Sequence, residues 1–160
     1  MQVKIMSGVS GAGKSTFIKA QEWYRGCVIQ SADDFFMLSG EYKFDARKLG
    51  AAHAACLRGY VNSLLSNYTS VVVDNTNTTL DEIAPYYALA RAYGYDVELI
   101  TLHIDVRLAV ERTTHNVPRG SIESMRDRII KRNLPWHWNL TETSYIWHND
   151  AWLKLDSAST

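Results

Sequence analysis

Short aliphatic runs alternate with longer segments in which apolar residues recur at helical spacing. Residues 3–6 read as a short buried strand that enters a Gly/Ser-rich turn directly. Residues 14–24 read as a helix ending near Gly26, and residues 27–30 as a second strand. Residues 36–44 carry Ser39-Gly40 between alternating aromatics, which predicts a loop or small hairpin. Asp45 then caps a long helix whose apolar side runs through Leu49, Ala52, Cys56, Tyr60 and Leu64. Val71-Val72-Val73 is the clearest strand. Thr79 and Glu82 have the spacing of a capping box, although Pro85 offers a second possible helix start. That helix stops at Gly94, and residues 97–103 form a fourth strand. Asp105 caps a helix through Arg112, and Ser121 caps another through about Arg132.

Strands alternating with helices predict an α/β domain, a parallel sheet of four to five strands with helices on both faces. Residues 1–133 carry this pattern. Residues 134–160 depart from it: they hold Trp136, Trp138, Trp147 and Trp152, and read as an irregular tail packed on the same domain.

Composition narrows the picture little. The 160 residues suit a single domain with a substantial core. A net charge of zero gives no vote for non-specific nucleic-acid binding, so contact with a polynucleotide would need a local basic patch. Residues 1–6 lack a signal-peptide pattern, no apolar run reaches membrane-spanning length, and Cys27 and Cys56 lack metal-type spacing. These features point to a cytoplasmic setting without membrane contact, and they leave the oligomeric state open.

The chemistry begins at Gly8-Val9-Ser10-Gly11-Ala12-Gly13-Lys14-Ser15, which matches the phosphate-binding pattern G-x-x-x-x-G-K-[ST]. Gly8, Gly11 and Gly13, with Ser10 and Ala12, let successive backbone N–H groups turn inward around an anion. Lys14 reaches the β- and γ-phosphates, Ser15 offers its hydroxyl to Mg²⁺, and Thr16 continues into the helix. The motif follows a predicted strand and precedes a predicted helix, the context that gives it meaning. ATP and Mg²⁺ are the implied ligands, with no base-specific motif to separate ATP from GTP.

Two further segments, Ser31-Ala32-Asp33-Asp34-Phe35-Phe36 and Val71-Val72-Val73-Asp74-Asn75-Thr76-Asn77, join residues 8–16 in a resemblance. Together they resemble the kinase module of phage-type polynucleotide 5′-kinases and, more closely, the small P-loop kinase-like domains related to it. The resemblance extends to about Arg132. It implies a P-loop NTPase fold with a small arginine-bearing lid and transfer of a γ-phosphate to a hydroxyl acceptor, nucleic acid or nucleotide-like. It places the general base on Asp33, with Asp34 helping in placement or metal binding. A solvated strand-to-loop turn is the alternative reading of that pair. The family's acceptor-phosphate arginine is replaced here by Phe36, which favours stacking on a base or a different acceptor.

Asp74 suits Mg²⁺ coordination or acceptor positioning. Asn75 and Thr76 fit an Asx-type turn equally well, and Asn77 is the member expected to face the site. Arg112 matches a lid arginine; the second falls near His115-Asn116, and Arg119 is the candidate substitute. Arg126, Arg128, Lys131 and Arg132 make the following helix basic. A kinase of a modified base, nucleoside or small-molecule hydroxyl, and an ATP-binding regulatory module with little turnover, are the competing readings.

Overall fold

Val3 and Ile5 of the first strand are fully buried against one group of side chains, and Met6 against another, so the strand is covered on both faces. That strand is the centre of the molecule. The computed structural model describes residues 1–38, 41–114 and 117–155. In chain order the elements are β1 (Gln2–Gly8), α1 (Lys14–Lys19), β2 (Val28–Gln30), β3 (Met37–Leu38), β4 (Glu41–Tyr42), α2 (Leu49–Leu65), β5 (Ser70–Val73), α3 (Leu80–Ala92), β6 (Asp96–His103), α4 (Val106–Arg112), α5 (Arg119–Lys131), β7 (Thr141–His148) and β8 (Ala151–Leu155). Short 3-10 turns occur at Glu22–Tyr24, Asp33–Phe36 and Ala46–Lys48.

The main sheet has six strands in the order β2-β5-β1-β6-β7-β8. All neighbours are parallel except β7 and β8, which form an antiparallel edge. β1 is in register with β5 through Val3↔Val71 and with β6 through Val3↔Val97. Val3, Ile5, Val71, Val73 and Leu99 meet α2 and α3 on one face. Met6, Val72, Ile100 and Leu102 meet α1, α4 and α5 on the other. A parallel sheet covered this way needs apolar residues on both sides of each strand, which is why these segments are nearly continuous in Val, Ile and Leu. Lys4 and Ser7 are the buried polar residues of β1, and the Lys4 ammonium is paired with Glu98 at 3.0 Å and lies over the Trp23 ring.

The expected elements are present with several corrected boundaries. The helix expected over residues 14–24 is α1 followed by a separate 3-10 turn. Asp45 caps the 3-10 turn Ala46–Lys48, its carboxylate accepting from Arg47 N, and α2 begins directly after it. Ser121 lies inside α5, because the cap is Pro118, three residues earlier, with its carbonyl accepting from Ser121 N and Ile122 N. The capping box is real, and Pro85 sits within α3. The short hairpin β3–β4 is present, while its Ser39-Gly40 turn lies outside the described residues.

The largest correction concerns residues after 133. In place of an irregular tail, they supply β7 and β8 and so enlarge the sheet to six strands. Leu134, Trp138 and Leu140 pack on the α2–α3 face, with Trp138 stacked on Tyr87 at 4.5 Å, whereas Tyr145 and Trp152 pack on Phe17 at the opposite face. Among the described residues no helix is long and apolar enough to cross a membrane.

Candidate active site

The phosphate-binding loop follows β1 and is held by backbone bonds: Gly8 N donates to Thr76 O of the β5–α3 loop at 2.9 Å and Ala12 N to Val9 O at 3.2 Å. Gly11 and Gly13 have φ of +77° and +84°, in the left-handed region where a side chain is strained. Gly11 is further constrained, since a Cβ there would lie 2.0 Å from the Ala109 carbonyl oxygen. The loop therefore rests on the last turns of α4, and Ser10 Oγ lies 3.1 Å from Thr113 Oγ1 at the same seam. Ala12 is buried and contributes only backbone to the concave side.

Lys14 folds back over the loop and donates to the carbonyls of Gly8 (3.2 Å) and Val9 (3.1 Å). Burial holds its ammonium below the usual lysine range, opposed by the nearby charges of Asp74 and Asp33. Ser15 Oγ donates to Asp74 Oδ2 at 2.6 Å. Burial pushes the Asp74 carboxyl up, against the Ser15 hydrogen bond and Lys14. Asp74 is fixed at the end of β5 through its backbone: its N–H donates to Gln30 O at 2.9 Å and its carbonyl accepts from Ser31 Oγ at 3.0 Å. Asp33 opens the 3-10 turn after β2. Its backbone N–H donates to Ser31 Oγ, and its Oδ1 accepts from the Tyr42 hydroxyl at 3.1 Å. Burial and then the Asp33 charge raise the Tyr42 hydroxyl well above the usual tyrosine range, so it stays a donor. Asp34 is exposed beside them, its carboxyl raised by partial burial.

A hydroxyl and a carboxylate 2.6 Å apart beside a phosphate-binding loop are hard oxygen donors of the kind Mg²⁺ takes, usually one or two from protein and the rest from water and phosphate. Ser15 and Asp74 thus fit that ion. Lys14, Ser15, Asp33 and Asp74 converge at the carboxyl ends of β1, β2 and β5, the edge where parallel α/β sheets bind ligands.

Other expected site residues are placed elsewhere. Phe36 is only 2 % exposed and belongs to the α2–α3 core, so it is no acceptor contact. Asn77 is buried in the left-handed region at φ +42°; its amide donates to Met6 O at 2.8 Å and its carbonyl accepts from Ser7 Oγ. It anchors the β5–α3 loop to β1 instead of facing an acceptor. Asn75 is likewise internal, accepting from Ala32 N. Arg112 is exposed at the end of α4 with its guanidinium 4.3 Å from the Trp147 ring centroid, one residue from the Ser10–Thr113 contact. Arg119 pairs with Glu123 at 2.8 Å on the surface of α5. The His115-Asn116 position of a second lid arginine lies outside the described residues.

No site role is assigned to Tyr42, Ser31 or Arg132 from the sequence. Ser31 could have been suspected from its place beside Asp33. Nothing in the sequence points to Tyr42 meeting Asp33 or to Arg132 reaching Ser7.

A glycine-rich loop between a central parallel strand and a helix, with a lysine and two strand-end carboxylates around it, defines a P-loop kinase-like domain. The family model described as an AAA domain matches residues 3–132, and the chain belongs to that family. Human NEDD4-binding protein 2 is 34 % identical over 94 residues, covering 58 % of this chain and 5 % of that protein. The chain thus spans only about a twentieth of that relative's length. The fold is shared with a gluconokinase from Sinorhizobium meliloti 1021 (TM-score 0.56, 16 % identity, 89 % of this chain and 82 % of that one). It is also shared with a chain of the Pnkp1/Rnl/Hen1 RNA repair complex (TM-score 0.62, 23 % identity, 81 % and 44 % covered).

Proposed function

We propose that this domain is an ATP-dependent phosphotransferase that moves the γ-phosphate to a hydroxyl, with the 5′-hydroxyl of a polynucleotide as acceptor. The observation that carries this reading is the Ser15–Asp74 pair at 2.6 Å beside Lys14, with Asp33 close enough for its charge to act on the same ammonium. Lys14 exchanges its two loop carbonyls for phosphate oxygens. Ser15 and Asp74 would hold Mg²⁺, which would offset phosphate charge there. Asp33, oriented by Tyr42, accepts the proton of the attacking hydroxyl. The hydroxyl oxygen bonds to the γ-phosphorus, the bond to the β–γ bridging oxygen breaks, and ADP leaves. Arg112 would have to leave the Trp147 ring, and Arg119 its pair with Glu123, to supply positive charge for the equatorial oxygens, where charge spreads during transfer. A cytoplasmic location belongs with this reading.

A smaller hydroxyl acceptor is the second reading. It is favoured by the residue at position 36, a buried phenylalanine where the resemblance to polynucleotide kinases implies an arginine for an acceptor phosphate.

The test is transfer from γ-labelled ATP to 5′-hydroxyl RNA and DNA oligonucleotides, beside a panel of nucleosides and sugars. Asp33→Asn is expected to lower the rate by at least about 100-fold while ATP binding persists. Lys14→Ala is expected to lose about as much through weakened phosphate contact. Full activity of Asp33→Asn would remove the assigned base, and transfer confined to small compounds would select the second reading.

A further inference from the structure

The segment joining Asp33 to α2 carries more aromatic surface than the core uses. Phe36 is buried, yet Phe35 and Phe44 are 37 % and 49 % exposed, and Met37 lies exposed between them in sequence. The Phe36 ring is their common support. It meets Phe35 edge-on at 5.5 Å, Phe44 at 5.1 Å in a tilted arrangement, and Tyr42 at 6.0 Å. Lys43 N donates to Phe36 O at 2.8 Å, which clasps the β3–β4 hairpin onto the turn bearing Asp33. Tyr42 then closes the circuit through its hydrogen bond to Asp33.

Two half-exposed rings seated on one buried ring form a stiff platform with little side-chain entropy left to lose on binding. Its position is set: one end of the cluster is hydrogen-bonded to the carboxylate that takes the acceptor's proton. A sugar would need hydrogen-bond partners along this surface, and the phenyl rings offer none. A flat π-system matches them.

We propose, building on the function stated above, that Phe44 and Phe35 stack the terminal nucleobase of the acceptor and so set its hydroxyl against Asp33. Phenyl rings read no base edge. The platform therefore demands that a base be present while tolerating any of the four. Affinity comes from the base, which compensates for the acceptor-phosphate cation that Phe36 replaces.

The test compares 5′-hydroxyl oligonucleotides ending in a normal nucleotide with matched ones whose first residue is abasic. The native protein is expected to prefer the normal end by about tenfold in kcat/KM, with all four bases within a few-fold. Phe44→Ser and Phe35→Ser are expected to lose most of that preference through KM for the oligonucleotide, with KM for ATP unchanged, and Phe44→Trp to restore it. Both positions are exposed, and a matching thermal melt checks that the fold is intact. Equal use of both ends by the native protein, or a preference that survives both serine variants, overturns the proposal. If no oligonucleotide is phosphorylated, the function reading has failed and binding decides the platform alone. Adenosine bound by the native protein and not by the double serine variant supports it; equal binding to both rejects it.

Discussion

Arg132 shows how much a single side chain can hold together. Its side chain is 3 % exposed, and it donates to Ser7 Oγ at 2.8 Å, Asn77 O at 3.1 Å and Thr101 Oγ1 at 3.1 Å. One guanidinium thus joins β1 immediately before the phosphate-binding loop, β6, and the loop that follows Asp74. Burial of the His103 ring, and after it the Arg132 charge, hold His103 below the usual histidine range. Arg132→Met would take this donor from the buried Ser7 and Thr101 hydroxyl oxygens, while Asn77 O keeps its bond from Ser7 Oγ. It is expected to cost about 3 kcal/mol by urea denaturation, with Arg132→Lys recovering only part because an ammonium lacks the planar fork. A loss below about 1 kcal/mol would mean that water replaces these bonds. The residues that converge on the site were legible because each lies in a local pattern at a strand end: the loop after residue 8, the Asp-Asp after β2, the Asp-Asn after β5. Arg132, Tyr42 and the burial of Phe36 were illegible for the opposite reason. Each depends on a contact with residues distant in the chain, and a lone arginine ending a basic helix looks the same whether its head lies in water or in the sheet.

Among the elements, α3 has the best-defined start. Thr79 Oγ1 accepts from Glu82 N at 3.3 Å, and the Glu82 carboxylate accepts from Thr79 N, Thr78 N and Thr78 Oγ1. This box fixes the loop that carries Asp74 toward the site. Thr79→Ala is expected to cost about 1 kcal/mol, seen as a fall in Tm of about 2–4 °C. An unchanged melt would show that Glu82 alone suffices. Where an element had strong periodicity or a side-chain cap, its position was readable from the chain, as with α2, β5 and α3. β7 was not. Its sequence, Thr-Glu-Thr-Ser-Tyr-Ile-Trp-His, is only partly buried, so it lacks the aliphatic run of a central strand. α5 starts three residues before the Ser121 cap that its sequence suggests, because it opens on a proline carbonyl with no side-chain cap to mark it.

At the scale of the molecule, the segment after α5 is structural. It crosses from the α5 face to the α3 face, and β7 then pairs with β6 from Glu98↔Thr141 to His103↔Ile146. A chain ended after residue 133 would expose the edge of β6 and uncover Tyr87 and Phe17. It is expected to aggregate or to lose its cooperative unfolding transition, as followed by circular dichroism and size-exclusion chromatography. A soluble, cooperatively melting 1–133 fragment would show the two strands to be dispensable.

The central place of β1 also governs how the protein is made. Val3 finds its partners at Val71 and Val97, so an aliphatic strand leaves the ribosome well before either neighbour exists. At about 5–20 residues per second, the 94 residues between Val3 and Val97 take roughly 5–20 s to add. Until β5 is made the strand has no neighbour, and until β6 is made one of its edges stays open. The β6 side of the strand that leads into the phosphate-binding loop is therefore the last to be covered, and an open apolar edge invites misassociation during synthesis.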